Sequence, residues 1–241
     1  MNLKLYNTDI YENLIKKRYK NFFSSFRFCS FAAKELKVKF EDQVIEKAQD
    51  LFFKYGLKSI TMDDLARELG ISKKTLYASF NNKQEIINII TIMLIEEHER
   101  NCVKIEKEAS NAIEEILMQL NSVKSIFQQF NHKITFEMKK YYSESWEILK
   151  NYKKEFLLQK VKNNLKRGVK EGLYRDNLNI ELISKLRMEQ MKIISNSALF
   201  LPTNINKKEV SQELFFQILY GMSTIKGHRL INKYLDIEEK E

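Results

Sequence analysis

Lys73, Lys74, Thr75 and Tyr77 set ammonium, hydroxyl and phenol donors side by side, and Lys83 follows a short distance on. No carboxylate stands between Leu69 and Gln84 to neutralise them. Donors and unopposed positive charge at this density suit hydrogen bonds to the base edges and phosphate oxygens of duplex nucleic acid. Catalysis fits poorly. The chain contains no Ser/His/Asp grouping, metal-ligand spacing or phosphate-binding loop, and carboxylate pairs such as Glu96 and Glu97 read as solvated helix faces. The expectation is therefore a non-enzyme with no catalytic residues, no metal and no cofactor.

Two short helices are needed to hold these donors. Met62, Leu65, Ala66 and Leu69 follow helical spacing and stop at Gly70, then Ile71, Leu76 and Phe80 resume it. That pattern predicts a helix-turn-helix. Gly70 suits the turn because it takes a positive φ without steric cost, while Thr61 and Ser72 suit the N-caps of the two helices. Asp63 and Asp64 follow Thr61 where negative charge favours a helix start. Asn82 and Glu85 form a capping arrangement that opens a further helix with Lys83 in its first turn. Ahead of the motif, Val44, Ala48, Leu51, Phe52 and Tyr55 line one face of a support helix over residues 41–55, which Gly56 ends. A buried helical hairpin is the plainer alternative. It would gain nothing from Lys73, Lys74 and Lys83 without acidic partners on their face.

Gly56, Thr61, Leu65, Ala66, Gly70, Ile71, Ser72, Thr75, Leu76, Tyr77, Phe80, Lys83 and Glu85 together resemble the N-terminal signature of the TetR family of bacterial transcriptional regulators. The match is dense and fades beyond Leu94. The resemblance implies that Thr61, Tyr77 and Lys83 contact DNA phosphates. It leaves Lys73, Lys74 and Thr75 as base-edge or backbone candidates, with Thr75 alternatively packing against a base methyl. Ser72 completes the expected DNA-binding set.

Composition agrees with such a partner without deciding it. Lys and Arg number 41 against 32 Asp and Glu in 241 residues, a formal net charge of +9 that favours a polyanion. One proline and six glycines leave long helices uninterrupted and provide few tight turns for a sheet, so the fold class expected is all-α. Cys29 and Cys102 form no CxxC pattern and the three histidines are scattered, which points to a reducing, cytoplasmic compartment and no metal site. The longest apolar run, residues 86–95, is far short of the ~20 residues that span a membrane.

The expected organisation is an N-terminal extension over residues 1–38, a three-helix DNA-binding domain over 39–84, and a helical effector-binding and dimerisation domain over 85–241. In the last of these, Ile113, Ile116, Leu117, Leu120, Val123, Ile126, Phe127 and Phe130 form an apolar stripe, which Phe136, Tyr141, Tyr142 and Trp146 extend. By the resemblance, an effector pocket lies among these helices, with Phe127, Phe130, Tyr142, Trp146, Met188 and Met191 as candidate lining. Gly172 reads as a helix stop. The resemblance also implies that two closing helices, over 180–199 and 208–235, pair with a second copy, with Leu214, Ile218, Gly221, Met222, Ile225 and Gly227 as candidates for the contact. Small residues there would let another helix approach closely. The expected protein is a homodimeric repressor released from a near-palindromic double-stranded operator by a small-molecule effector.

Residues 1–38 hold Lys16, Lys17, Arg18 and Lys20 before an aromatic run that Arg27 interrupts. They read as a signal peptide, as a basic amphipathic segment, or, preferably, as an extension from an upstream start codon ahead of a working protein that begins near 37–39. The second of these carries the rival function, a peripheral membrane or scaffold protein.

Overall fold

The computed structural model describes the backbone of residues 30–129, 132–195 and 207–237, and side chains within 39–120, 132–191 and 212–237. Every regular element among the described residues is helical. In chain order they are α1 (Ser30–Tyr55), α2 (Met62–Glu68), α3 (Lys73–Ser79), α4 (Lys83–Glu108), α5 (Ala112–Gln129), α6 (His132–Tyr141), α7 (Ser143–Asn151), a π-helical segment (Tyr152–Leu157), α8 (Leu158–Lys170), α9 (Ile180–Ser195), α10 (Lys207–Met222) and α11 (Ile225–Leu235). None of them is long and apolar enough to cross a membrane. The support helix α1 begins at Ser30, well before the expected start near residue 41.

The chain divides into two compact units, and the division differs from the one expected at residue 84. The first takes the described residues through Ile95 and adds Lys133–Tyr152; the second takes Glu96–His132 and the described residues from Lys153 onward. Helix α4 thus runs through the boundary at Ile95, and the unbroken run of α7, π segment and α8 passes through it at Tyr152.

In the first unit, Val44, Ile45, Ala48 and Phe52 of α1 are buried, as are Met62, Leu65 and Ala66 of α2 and Leu76 of α3. Apart from Ile45, these are apolar positions whose spacing predicted the helices. Three aromatic residues expected in apolar faces instead face water: Tyr55 is 45 % exposed, Phe136 54 % and Tyr141 43 %. Their rings lie near lysine ammonium groups, Lys54 beside Tyr55, Lys58 and Lys140 beside Tyr141, and Lys140 beside Phe136, at 5.0–5.8 Å. An aromatic face attracts a cation, so a ring at the surface is stabilised by what its neighbours carry.

The second unit is built on Ala112, Ile113, Ile116, Val161, Leu165, Leu173, Tyr174, Leu219, Met222 and Ile231, all buried. Gly172 ends α8 as expected, with φ +67° and two backbone bonds, Gly172 N–H to Val169 O and Leu173 N–H to Gly168 O. This is the Schellman arrangement that favours glycine. The expected single helix over 208–235 is two helices. Around the break, Arg175 N–H donates to Met222 O at 3.0 Å, Thr224 N–H donates to Leu173 O at 2.9 Å, and Thr224 Oγ1 caps α11 by accepting from Gly227 N–H at 3.1 Å. Backbone groups committed to residues 173–175 cannot continue the helical ladder, so the chain restarts at the cap.

Candidate nucleic-acid interface

Local capping fixes α2 and α3. The Thr61 hydroxyl donates to Asp64 Oδ2 at 2.7 Å and accepts from Asp64 N–H at 3.1 Å, while Thr61 N–H donates to the same carboxylate at 2.9 Å. This is a capping box closed by aspartate. The Thr61 bonds, first from the side chain and then from the backbone, hold the Asp64 carboxyl below its ordinary range, with Arg67 adding to them. At the turn, Gly70 has φ +66°, Gly70 N–H donates to Arg67 O and Ile71 N–H donates to Ala66 O, again a Schellman stop. Ser72 then caps α3, its hydroxyl accepting from Thr75 N–H at 3.1 Å.

Helix α3 buries Leu76 completely and presents the rest of its length to solvent. Lys73 is not unopposed: its Nζ lies 2.5 Å from Asp63 Oδ2, so the acid expected to be missing is supplied by α2. Both side chains are more than half exposed, and such a pair contributes little to stability. Thr75 Oγ1 is 2.8 Å from Ser72 Oγ, which engages its hydroxyl within the helix cap. Lys74 and Tyr77 are exposed and make no ion pair or side-chain hydrogen bond among the described residues; the Tyr77 side chain is 49 % exposed. The unengaged donors of the motif therefore narrow to these two.

Lys83 sits differently from the free phosphate anchor expected at the start of α4. Its ammonium turns inward and donates to Leu57 O, lying 5.4 Å from the Phe52 ring centroid and 5.5 Å from that of Tyr142. Burial pushes its pKa down to about 8, although the carboxylates of Glu137 and Asp64 oppose the fall. At this helix start Asn82 Oδ1 accepts from Glu85 N–H at 2.9 Å as expected, and the Glu85 carboxylate accepts from the backbone and side-chain N–H groups of Asn81 at 2.8 Å.

Helix α6 supplies two residues that motif reading overlooked. Glu137, 8 % exposed, accepts from Lys58 N–H at 2.9 Å, and Lys133 Nζ donates to Tyr55 O at 2.8 Å. Together with Lys83 they satisfy backbone groups at the end of α1 and in the loop that follows it. No sequence signal marks this clamp, because its partners stand nearly eighty positions apart.

A capped α2, a tight glycine turn and a solvent-facing α3 with free cationic and phenolic donors define a helix-turn-helix module of the DNA-binding class. Residues 44–89 match the family described as bacterial regulatory proteins, tetR family. Residues 44–89 thus form a DNA-binding domain of the tetR-family type. It is similar to the uncharacterised HTH-type transcriptional regulator YvaF of Bacillus subtilis, 34 % identical over 100 residues that make up 40 % of this chain and 52 % of that one. It is also similar to the HTH-type regulator TtgR of Pseudomonas putida, 35 % identical over 57 residues, 24 % of this chain and 27 % of that protein. The chain thus spans about half the length, or less, of these curated relatives. Among solved structures, it superposes on a transcriptional regulator from Saccharomonospora viridis in complex with choline at a TM-score of 0.65 and 16 % identity, covering 78 % of this chain and 99 % of the other. The ketosteroid regulator KstR2 of Mycobacterium tuberculosis gives 0.56 and 17 %, covering 76 % and 95 %. At these identities the likeness concerns the fold.

The remaining expected site residues scatter. Of the pocket candidates, Tyr142 and Trp146 belong to the first unit and Met188 and Met191 to the second. Phe130 lies outside the described residues, and Phe127 is on α5 with its side chain outside them. Of the dimer candidates, Met222 is 2 % exposed and Gly227 is buried, both within the core of their own unit. Leu214 and Ile218 are partly exposed, Gly221 is open, and Ile225 is 75 % exposed.

Proposed function

We propose that this protein is a homodimeric transcriptional repressor that binds a near-palindromic duplex operator through α3 and is released from it by a small-molecule effector held in the second unit. The observation that carries the reading is the pair Lys74 and Tyr77, unengaged on the exposed side of a helix anchored by the buried Leu76. The match of residues 44–89 to the tetR family supports DNA as the partner. Two-fold protein symmetry would impose two-fold symmetry on the half-sites, and Leu214, Ile218, Gly221 and Ile225 are the surface residues available for that contact. Helix α4 starts beside the motif at Lys83 and ends in the second unit at Glu108, which provides a covalent route for coupling. Selection of bound sequences from a random duplex pool is expected to return a near-palindrome, and light scattering is expected to give a dimer at micromolar concentration. An asymmetric consensus, or a monodisperse monomer, would overturn the dimeric reading.

Lys83 allows a pH test of its phosphate role. In the free protein its pKa is about 8, lowered by burial; beside a phosphate it would return toward the ordinary lysine range, so binding would take up a proton. The sign follows: operator affinity should fall as pH rises from about 8 toward 10, by up to roughly tenfold per unit. Binding titrations across that range check it, with Lys83→Met as the variant that flattens the slope. An equal slope in wild type and variant would remove Lys83 from the interface.

A further inference from the structure

Among the described residues of the second unit, the buried polar side-chain atoms have hydrogen-bond partners with one exception. Asn164 Nδ2 donates to Ala112 O at 2.9 Å, and the Tyr174 hydroxyl lies 3.2 Å from Ala112 O and 3.3 Å from Asn164 Oδ1. Ser184 Oγ donates to Glu181 O at 3.0 Å. Arg167 bridges Glu115 at 3.1 Å and Glu171 at 2.7 Å and donates to Ala109 O at 2.9 Å. Arg187 stands apart: it is 8 % exposed, and its Nη1 is the one buried side-chain nitrogen or oxygen among the described residues with no hydrogen-bond partner.

A guanidinium stays charged in a protein, so an unpaired one in the core carries its full desolvation cost. The acidic groups near enough to act on it are Tyr174 and Glu115. Neither neutralises it. Burial drives the Tyr174 phenol far above its ordinary pKa, which keeps it uncharged, and the Glu115 carboxylate is shared between Arg167 and Gln119, with no ion pair to Arg187 among the described residues. Its immediate neighbours along α9 are apolar. Arg187 lies on α9 one turn from Ile183 and Met191, and Ile183, Met188 and Met191 pack against the core of Ile116, Leu165 and Tyr174.

We infer that Arg187 is the anchor of a ligand site for an organic carboxylate with an apolar body. One planar guanidinium matches the charge and the fork geometry of one carboxylate, and the apolar side chains of α9 that pack on the adjoining core suit a hydrocarbon. This deepens the effector reading above and rests on it for the ligand's regulatory role, though not for its binding.

The test uses the full chain, with straight-chain acids from octanoate to tetradecanoate and the primary alcohols of matching length as probes. Thermal melts and calorimetric titrations are expected to show that the acids raise the melting temperature and bind about tenfold or more tighter than the alcohols, as a charge-assisted hydrogen bond in a buried site implies. Arg187→Met is expected to melt higher than wild type without ligand, because an unpaired buried charge gives way to an apolar side chain, and to lose the preference for acids. A residue that served only packing would show neither effect. Arg187→Lys, which keeps the charge, should retain part of the preference and serves if the Met variant misfolds. Equal binding of acids and alcohols by wild type, absence of any acid-induced shift, or undiminished acid binding by Arg187→Met would overturn the site. Acids that bind through Arg187 but leave operator affinity unchanged would overturn the effector reading instead and leave the site standing.

Discussion

Replacing Lys74 and Tyr77 together by alanine is expected to weaken binding to the selected operator by at least about a hundredfold while leaving the protein folded. Each side chain is exposed and unengaged, so neither removal leaves a cavity or an orphaned partner, and surface changes of this kind usually alter stability by under about 0.5 kcal/mol. Contacts to base edges or phosphates contribute roughly 1–3 kcal/mol each, so losing two of them amounts to about two orders of magnitude or more. The single variants separate their roles. Tyr77→Ala should weaken binding to all duplexes alike if the phenol meets a phosphate, whereas Lys74→Ala should also shift the preferred sequence. Electrophoretic mobility shifts on the selected site and on an unrelated duplex measure both, and helical circular dichroism controls for folding. A folded double variant that binds its site as wild type does would remove α3 from recognition.

Gly227→Ala should destabilise the second unit severely, by about 3 kcal/mol, whereas Gly221→Ala should stabilise it by up to about 1 kcal/mol. A β-carbon at 227 would fall against the carbonyl oxygen of Leu173 and within 2.9 Å of Ser223 Cβ. That carbonyl cannot retreat freely, since Thr224 N–H donates to it at 2.9 Å and this bond helps hold the break between α10 and α11. At 221 a β-carbon meets nothing within 4 Å, and alanine is the better helix former. Urea or thermal unfolding monitored by circular dichroism distinguishes the pair. The contrast also separates folding from assembly: Gly221→Trp should disrupt a dimer built on α10 without unfolding its subunits, whereas bulk at 227 acts on the fold itself. Gly227→Ala melting at the wild-type temperature would contradict the packing described for α11.

Much of the first unit was legible because its determinants are local. Capping by Thr61, Ser72 and Asn82, the positive φ of Gly70 and the apolar spacing of Leu65, Ala66 and Leu76 each act over one turn of chain. A sequence displays such features directly. The lysines were harder to read. Lys73, Lys74 and Lys83 look equivalent in sequence, yet one pairs with Asp63, one is free, and one turns inward to Leu57.

The sequence by itself determined an all-helical chain, the helix-turn-helix with its caps and turn, and the helix stop at Gly172, because helical periodicity, capping and glycine conformation involve residues a few positions apart. Tertiary structure alone decided the rest. It placed α6 and α7 in the first unit, so that Lys133 and Glu137 close over the loop after α1. It divided the last helix at Thr224 by giving the backbone there partners at residues 173–175, and it turned Gly227 from an apparent surface feature into a packing requirement. It also buried Arg187 without a partner. The physical reason is common to all of these: pairing and desolvation depend on which distant groups meet, and a one-dimensional pattern carries spacing along the chain but not distance across it.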